Sequence, residues 1–303
     1  MEDIVIIGSG CAGMGAAIYA ARAGVSPLVL EGSRPGGLLT TTSDVENYPA
    51  FPEAIGGFDL VWKMRQQAEK FGARIKSATV ESVDFTGDVK KLILAGGSVI
   101  ESKKVIIATG SSPRLTGAKG EKELYGAKGV SACATCDGAF YRGKNVVVIG
   151  GGDTACEEAD FLSRFCPSVV IVHRRDALRA SKIMADRVLN NPKISFVWDS
   201  ALEEVVADDA GVCSSIVLKN LKTGELSSLE CKGVFIAIGH TPNTSVFKGA
   251  IDMDSDGYII VSEAVKTSVK NVYAAGDCAD KVFRQAITAT SSGAQAAILA
   301  TNN

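Results

Sequence analysis

The stretch Val146-Val-Val-Ile-Gly150-Gly-Gly152-Asp-Thr-Ala155 decides the fold of this chain. Its apolar run predicts a buried strand, which then turns through glycines into a helix. The stretch Ile4-Val-Ile-Ile-Gly8-Ser-Gly10-Cys-Ala-Gly13 shows the same pattern near the N-terminus. Glycines at this spacing allow a tight turn and let backbone N–H groups approach a pyrophosphate at the start of a helix. The chain therefore predicts two dinucleotide-binding turns.

These two stretches predict two related β-α-β units. At a constant offset, Gly8 aligns with Gly150, Gly10 with Gly152, Gly13 with Ala155 and Arg22 with Arg164. In each copy an alanine-rich helical stretch leads to a second buried strand, Pro27–Leu30 in the first and Val169–Val172 in the second. We therefore predict an α/β fold with two Rossmann-like dinucleotide-binding domains.

The order of the remaining segments predicts a discontinuous first domain. Apolar strands end at Gly110 and at Gly239, and a proline-containing crossover follows each of them. A strand that ends in Gly276-Asp277 and a helical stretch over 284–299 then resume the first domain. We expect one domain over residues 1–114 and 244–303, with the second, residues 115–243, inserted into it. A chain of 303 residues that is 46% hydrophobic suits two cores.

Composition narrows the class of partner. A formal net charge of −2 and the absence of lysine or arginine runs argue against nucleic acid and against an anionic membrane surface. No apolar segment has membrane-spanning length, and the acidic start Met1-Glu2-Asp3 does not resemble a signal peptide. Eight cysteines, scattered apart from one close pair, fit a reducing compartment. We expect a cytoplasmic protein that acts on small molecules and proteins.

The residues that follow the second strand differ between the two units. The first unit has Glu31 there, and a carboxylate can accept hydrogen bonds from a ribose diol, which favours an unphosphorylated ribose as in FAD or NAD. The second unit has His173-Arg174-Arg175 and then Arg179, whose guanidinium groups match a 2′-phosphate. This favours NADPH over NADH. The alternative for the second unit is a solvated basic patch.

The pair Cys133-Ala-Thr-Cys136 lies just before the second glycine turn. A structural zinc site would need a second pair of ligands, and the sequence has no other Cys-x-x-Cys or histidine cluster, so we predict no metal. A reversible disulfide needs an accessible, stabilised thiolate, which cysteines at the start of a helix gain from its N-terminal dipole. The other cysteines, 11, 156, 166, 213, 231 and 278, are expected to be packing positions.

Asp137 is the best candidate for proton transfer to and from this dithiol. The chain has only two histidines, His173 and His240, and both lie in apparent cofactor segments, so no imidazole is evident near the thiols. The alternative is that Asp137 is simply an acidic residue favourably placed in a first helical turn.

Over essentially the whole chain these elements resemble the low-molecular-weight thioredoxin reductases, flavoproteins that pass electrons from NADPH through FAD and an active-site disulfide to thioredoxin. The segments that carry the resemblance are 36–42, 45–49, 131–138, 173–179, 239–244, 276–277 and 284–286.

The resemblance implies roles for individual residues. Cys136 would be the thiol nearest the flavin, Cys133 the thiol that attacks thioredoxin, and Asp137 the residue that manages protons. It implies a homodimer whose domains rotate about the crossovers near 113–117 and 240–243. The FAD set would comprise Gly8, Ser9, Gly10, Cys11, Ala12, Gly13, Glu31, Gly36, Gly37, Leu38, Asn47, Val80, Gly110, Gly276, Asp277, Arg284, Gln285 and Ala286. The NADPH set would comprise Gly150, Gly152, Asp153, Thr154, His173, Arg174, Arg175, Arg179 and Gly239.

Two residues depart from the family pattern. Leu38 stands where relatives commonly have glutamine, and Ala139 where relatives often have a second aromatic residue beside Phe140. Alternatives to a thioredoxin reductase are a flavin-dependent dithiol oxidoreductase of the same fold with another acceptor, and a flavin- and NADPH-loaded redox sensor that binds a protein partner.

Overall fold

A computed structural model describes residues 1–42 and 45–302. The strands are β1 (Glu2–Ile7), β2 (Leu28–Leu30), β3 (Arg74–Lys76), β4 (Val80–Asp84), β5 (Lys90–Leu94), β6 (Val99–Ile107), β7 (Ser111–Pro113), β8 (Val130–Ser131), β9 (Val146–Ile149), β10 (Val169–Val172), β11 (Ile194–Val197), β12 (Ser200–Ala207), β13 (Cys213–Asn220), β14 (Leu226–Glu230), β15 (Gly233–Ile236), β16 (His240–Pro242) and β17 (Val272–Ala274). The α-helices are α1 (Cys11–Arg22), α2 (Gly57–Lys70), α3 (Ala134–Asp137), α4 (Asp153–Ser163), α5 (Lys182–Leu189) and α6 (Ala286–Asn302).

The chain separates into two compact units. Unit 1 comprises residues 1–112 and 241–303, and unit 2 comprises residues 113–240. The expected domain boundaries lie two or three residues further along the chain at each crossover. The two crossovers contain β7 and β16, which pair as a two-stranded sheet. In the part of the chain that the structure describes, no helix has the length and apolar character needed to cross a membrane.

Unit 1 is built on a sheet with a parallel core. Its strands β3, β2, β1, β6 and β17 run parallel, while β5 pairs antiparallel with β6 and β4 pairs antiparallel with β5. The strand β6 is long enough to serve both parts: Val105–Ile107 pair with β1 and β17, and Val99–Ser102 pair with β5. The central strands β1 and β6 end together at Ile7 and Ile107. Loops that follow parallel strands therefore meet at one edge of this sheet.

Unit 2 repeats this plan. The strands β11, β10, β9, β15 and β8 form a parallel sheet in that order, and β12, β13 and β14 form a separate antiparallel sheet. In unit 2 no single strand belongs to both sheets. The chain ends β14 at Glu230, in the antiparallel sheet, and begins β15 at Gly233, in the parallel sheet. The fold class predicted from the glycine patterns is confirmed, but the antiparallel sheets had no counterpart in that prediction.

The core of unit 1 depends on close packing of α1 against α6. Both helices present small residues to each other, and Ala12, Ala16, Ala296 and Ala297 are buried. A Cβ at Gly293 would lie 2.0 Å from the carbonyl oxygen of Ala12. The two backbones are therefore so close that only glycine fits at residue 293. This packing holds α1 in place directly behind the first glycine turn.

Candidate active site

Two glycines of the first turn, Gly8 and Gly13, have no room for a side chain. Gly8 has φ +109°, and a Cβ there would lie 2.2 Å from the carbonyl oxygen of Ala108. A Cβ at Gly13 would lie 1.9 Å from the carbonyl oxygen of Gly8. Gly10 caps the start of α1, and no acidic side chain lies in the first turn of that helix. The turn thus presents free backbone N–H groups and the positive end of a 12-residue helix, which suits a pyrophosphate.

A second loop packs directly on this turn. The backbone N–H of Gly36 donates a 2.8 Å hydrogen bond to the Oγ of Ser9, which is buried. A Cβ at Gly37 would lie 3.1 Å from the Cα of Gly10. Gly37 has φ +72°, and Leu38 follows as the half-buried first residue of a 3₁₀ turn. The loop and the turn, both predicted to bind FAD, are therefore brought together.

Glu31 is held at the end of β2 by a partner that the sequence did not reveal. Its Oε1 accepts a 2.5 Å ion-pair hydrogen bond from the Nη1 of Arg65 on α2. The backbone N–H of Glu31 donates to the carbonyl oxygen of Lys76, and β4 begins nearby with the buried Val80. Arg65 thus binds one carboxylate oxygen of Glu31, and the other oxygen can still accept hydrogen bonds from a ribose diol.

Asp277 lies beyond the end of β17, on the edge of the sheet where β1 and β6 also end. Burial, helped by the nearby charge of Asp280 and opposed by Arg284, raises the pKa of Asp277 to about 6. The buried Oγ1 of Thr109, just after β6, has no hydrogen-bond partner among the described residues, whereas the Ser111 side chain lowers the pKa of Asp277 through a hydrogen bond. A buried oxygen without a hydrogen bond destabilises the fold, so this atom of Thr109 indicates a position where a ligand or a water molecule binds.

Several other predicted FAD residues meet at this edge. A Cβ at Gly276, whose φ is +73°, would lie 2.9 Å from the Cβ of Ala12. The Nδ2 of Asn47 donates a 3.2 Å hydrogen bond to the Oε1 of Gln285. Arg284 has φ +47°, and α6 begins only at Ala286, so the helical stretch expected from Arg284 starts two residues later. These contacts bring Gly276 against Ala12 and Asn47 against Gln285 in unit 1.

The second glycine turn is built on the same principle. Gly150 has φ +154°, and a Cβ there would lie 2.4 Å from the carbonyl oxygen of Ala237. A Cβ at Gly151 would lie 2.3 Å from the Nδ1 of His173, so the imidazole packs flat against the turn. Gly152 has open space around it and caps α4. Asp153 and Thr154 open that helix, and the Oδ1 of Asp153 accepts a 2.8 Å hydrogen bond from the backbone N–H of Ser181.

The basic cluster of unit 2 combines a buried imidazole with exposed guanidinium groups. His173 is buried, and its Nε2 has no hydrogen-bond partner among the described residues. Burial, followed by the charges of Arg175, Arg174 and Arg179, lowers the pKa of His173, so the ring is neutral at neutral pH. The three arginine side chains are exposed, and none of them forms an ion pair with a described residue. Unpaired guanidinium groups around a neutral imidazole suit a phosphate dianion.

Gly110 and Gly239 lie at the two crossovers rather than in either glycine turn. Gly110 has φ +67° and accepts a hydrogen bond from the backbone N–H of Asn243, and Gly239 has φ +100° and accepts one from Arg114. Both therefore have a structural reason to be glycine, since their backbone conformation disfavours a side chain.

Cys133 and Cys136 form a disulfide in unit 2, with their Cα atoms 5.3 Å apart. Both are half-buried. The helix at this pair is a single turn, α3, and Cys133 caps it, so the contribution of a helix dipole is smaller than the sequence suggested. Among the described residues no three His, Cys, Asp or Glu side chains are grouped to hold a metal ion.

Ser131 connects this disulfide to Asp137. Its hydroxyl donates a 2.6 Å hydrogen bond to the Oδ2 of Asp137, and its oxygen accepts one of 3.0 Å from the backbone N–H of Cys133. Ser131 is buried at the end of β8. Burial raises the pKa of Asp137, and the Ser131 hydroxyl opposes that rise. A carboxyl group that holds its proton more tightly than usual, one turn from a dithiol, is suited to exchange protons with it.

Comparison with known proteins places this geometry in a family. The family model described as pyridine nucleotide-disulphide oxidoreductase matches residues 2–293. A thioredoxin reductase of Streptomyces coelicolor is 50% identical over 300 residues, which is 98% of this chain and 92% of that protein. The chain belongs to the low-molecular-weight thioredoxin reductases. The crystal structure of thioredoxin reductase from Streptococcus pyogenes is 41% identical, covers 100% of this chain and 97% of its own, and superimposes with a TM-score of 0.93.

Thioredoxin reductase 2 of Arabidopsis thaliana is 48% identical over 97% of this chain and 80% of its own length. The resemblance inferred from the motifs is therefore confirmed at the level of the family. The residues that depart from the family pattern are accessible: Leu38 is half-buried, and Ala139 and Phe140 are exposed beside the disulfide turn.

Two side chains of this reductase were missed by sequence reasoning. Ser131 was visible as a small polar residue at the end of an apolar strand and two residues before Cys133, a signal that a search for hydrogen-bond partners could have used. Arg65 gave no local signal, because it is separated from Glu31 by 34 residues.

Proposed function

We propose that this chain uses NADPH to reduce the disulfide of oxidised thioredoxin, with Cys133–Cys136 as its redox-active disulfide and FAD as its flavin cofactor. The observation that carries the proposal is a half-buried disulfide whose Cys133 N–H bonds Ser131, which in turn bonds the half-buried Asp137, in the same unit as the glycine turn and its arginines. The relatives named above are all called thioredoxin reductases, which supports the choice of acceptor.

The residues of unit 1 fit FAD. The first glycine turn suits the pyrophosphate, Glu31 offers a carboxylate oxygen to the unphosphorylated ribose, and the buried Thr109 Oγ1 is free to bond a ligand. When bound, FAD supplies the two-electron chemistry that connects a nicotinamide with a disulfide. Asn47, Gln285 and the residues around them complete the proposed site.

The residues of unit 2 fit NADPH. The second glycine turn suits the pyrophosphate, and the three unpaired arginines suit the 2′-phosphate that distinguishes NADPH from NADH. The neutral His173 packs beneath Gly151 and keeps the turn in shape. A solvated basic patch would not require a buried imidazole with an unsatisfied nitrogen at its centre.

The chemistry of the dithiol follows from its two sulfurs. Reduction of the Cys133–Cys136 disulfide takes up two electrons and two protons. As a thiolate, Cys133 attacks one sulfur of the thioredoxin disulfide, which forms a mixed disulfide and expels the other thioredoxin sulfur. Cys136 then attacks the sulfur of Cys133, which restores the Cys133–Cys136 disulfide and releases dithiol thioredoxin.

Asp137 is proposed to hold the proton that this exchange needs. Because burial raises its pKa, its carboxyl group releases a proton less readily than an exposed one and can donate it to a departing thiolate. The Ser131 hydroxyl orients the Oδ2 of Asp137 and limits the rise in the pKa of Asp137. Ser131 acts through Asp137 and is a positioning residue.

The experiment that tests this function follows NADPH consumption anaerobically, with oxidised thioredoxin as the sole acceptor. We expect turnover in the wild type, none above background in Cys136→Ser, and near wild-type turnover in Thr135→Ser, a control between the two cysteines. Undiminished turnover in Cys136→Ser would remove the disulfide from the mechanism. Absence of turnover in a wild type that binds flavin and NADPH would direct the search to another disulfide acceptor, the second candidate function.

The assembly and location belong to the same proposal. We infer a cytoplasmic homodimer, by analogy with the family. The aromatic rings of Phe58 and Trp62 on α2 are stacked 6.2 Å apart and are 59% and 45% exposed, which leaves apolar surface that a second copy could cover. Sedimentation velocity at micromolar concentration tests the dimer, and a monomer across the concentration range would contradict it.

A further inference from the structure

Cys213 and Cys231 lie together in the core of unit 2, although they are separated by 18 residues. Cys213 opens β13, and Cys231 lies at the break between β14 and β15. Their Sγ atoms are 3.9 Å apart, and the residues are 1% and 3% exposed. A disulfide has an S–S distance of about 2.05 Å, so a movement of about 2 Å by the side chains would join them. No other two free cysteines among the described residues have sulfurs this close.

The two thiols are chemically unequal. The hydrogen bond between the two sulfurs lowers the pKa of Cys213, despite burial, and the positive charge of Lys232 acts in the same direction. The same hydrogen bond, together with burial, raises the pKa of Cys231. A sulfur that ionises more readily beside a thiol that keeps its proton favours oxidation of Cys213 followed by attack of Cys231 on the oxidised sulfur.

The free cysteines without a sulfur neighbour lack this combination. Burial raises the pKa of Cys11 to about 12, and of Cys156 and Cys278 to about 11. The thiol of Cys166 donates to the carbonyl oxygen of Tyr141, and burial raises its pKa as well. These four are therefore protonated packing residues, as the sequence predicted.

A surface groove reaches one member of the pair, Cys231. Cys231 lines a surface groove of about 580 Å³, together with Ser214, Lys144 and Lys232. Ser214 is the residue next to Cys213 in β13, and the backbone N–H of Cys231 donates to its carbonyl oxygen. The groove is thus lined by Cys231 itself and by Ser214, the neighbour of Cys213 in the chain.

Tyr141 couples the pair to the redox turn. Burial and then the charge of Asp137 raise the pKa of Tyr141, and Cys213 and Cys231 act in the same direction. The ring of Tyr141 packs on Gly233, where a Cβ would lie 2.4 Å from a ring carbon, and Gly233 is two residues after Cys231. Tyr141 also ends the 3₁₀ turn that directly follows Asp137. Tyr141 therefore contacts the segment that follows Cys231 and also belongs to the turn that follows Asp137.

We propose that Cys213 and Cys231 form a second redox site, a dithiol that a hydroperoxide converts into an intramolecular disulfide. The Cys213 thiolate attacks the peroxide O–O bond, takes one oxygen as sulfenic acid, and releases an alcohol or water after protonation. The Cys231 thiol then attacks the Cys213 sulfur, which forms the S–S bond and releases water. Two thiols are oxidised by two electrons, and one peroxide is reduced. This site does not depend on the proposed function.

The test is a disulfide map of the intact wild-type protein. After reduction and removal of the reductant, the protein is treated with hydrogen peroxide, its remaining thiols are alkylated, and it is digested without reduction. We expect a linked Cys213–Cys231 peptide in mass spectrometry, distinct from the Cys133–Cys136 peptide. It should remain in Cys166→Ser, a matched buried cysteine, and disappear in Cys231→Ser with sulfenic acid at Cys213.

A second readout requires no variant. Hydrogen exchange in the Gly138–Tyr141 turn should change when the linked peptide forms. The proposal is overturned if, in the peroxide-treated wild type, Cys213 and Cys231 are alkylated as fully as Cys166, or if they link only to Cys133 or Cys136.

Discussion

Replacing Gly293 by alanine tests the helix packing that supports the first glycine turn. The added Cβ would lie 2.0 Å from the carbonyl oxygen of Ala12 and 3.0 Å from the backbone nitrogen of Ala16. Carbon and oxygen approach no closer than about 3.3 Å even in the shortest C–H···O contacts. The helices α1 and α6 must therefore separate locally by roughly 1 Å, because no side-chain rotation relieves a clash with the backbone.

The magnitude follows from the balance of two effects. Overpacking costs about 1–3 kcal/mol, and a clash against fixed backbone belongs at the upper end of that range. Alanine is about 1 kcal/mol better than glycine within a helix, which offsets part of the cost. The net loss in the free energy of unfolding is about 2 kcal/mol, or about 4–8 °C in the melting temperature of a unit of this size.

The assay is thermal unfolding followed by circular dichroism, with flavin retention on gel filtration as a second readout. Gly87→Ala is the matched control, because a Cβ there would lie 3.6 Å from its nearest neighbour, an ordinary contact in the same unit. We expect Gly293→Ala, but not the control, to have a lower melting temperature and to lose flavin, because the first glycine turn leads directly into α1. If both variants melt with the wild type, the packing argument is wrong.

Three further predictions concern single groups. Replacing Arg174 and Arg175 by alanine should raise the KM for NADPH by about tenfold or more while changing that for NADH little, because charge-assisted hydrogen bonds to the 2′-phosphate are lost. Ser131→Ala removes the hydrogen bond that favours ionised Asp137, so the pKa of Asp137 should rise and its limb of the pH–rate profile should move to higher pH. Asp277 has its pKa raised from 3.8 to about 6, so its contribution to the stability of the flavin-free protein is complete below pH 3.8 and is lost as the pH rises through 6. The stability of the wild type relative to Asp277→Asn, measured by urea unfolding, should fall across that interval.

Each of these predictions has its own control. Equal losses for NADPH and NADH would show that the two arginines do not contact a 2′-phosphate. Ser131→Thr keeps the hydroxyl and should restore the wild-type pH profile, and an unshifted profile in Ser131→Ala would remove Ser131 from proton transfer. A pH-independent difference between the wild type and Asp277→Asn would show that Asp277 titrates normally in the folded protein.

The elements that could be predicted from the sequence are those whose signal is local. An apolar run followed by closely spaced glycines predicts a strand, a turn and a helix, because each step depends on neighbouring residues. The strand Val169–Val172 was predicted with its observed limits, and β1 and β2 to within two residues. The antiparallel sheet β12–β14 was not predicted, because its strands carry mixed polar and apolar residues with no turn motif strong enough to define the register.

The sequence by itself determined the glycine turns, the close dithiol and the opposite charges that follow the two second strands, since all of these lie within short segments. Only the tertiary structure decided which distant side chains meet. It placed Arg65 on Glu31 and brought Cys213 within 3.9 Å of Cys231. It also showed that Cys133–Cys136 opens a single helical turn, where Ser131 rather than a long helix sets the local chemistry. The physical reason is that contacts between segments far apart in the chain depend on sheet register and helix packing, which no local pattern of residues specifies.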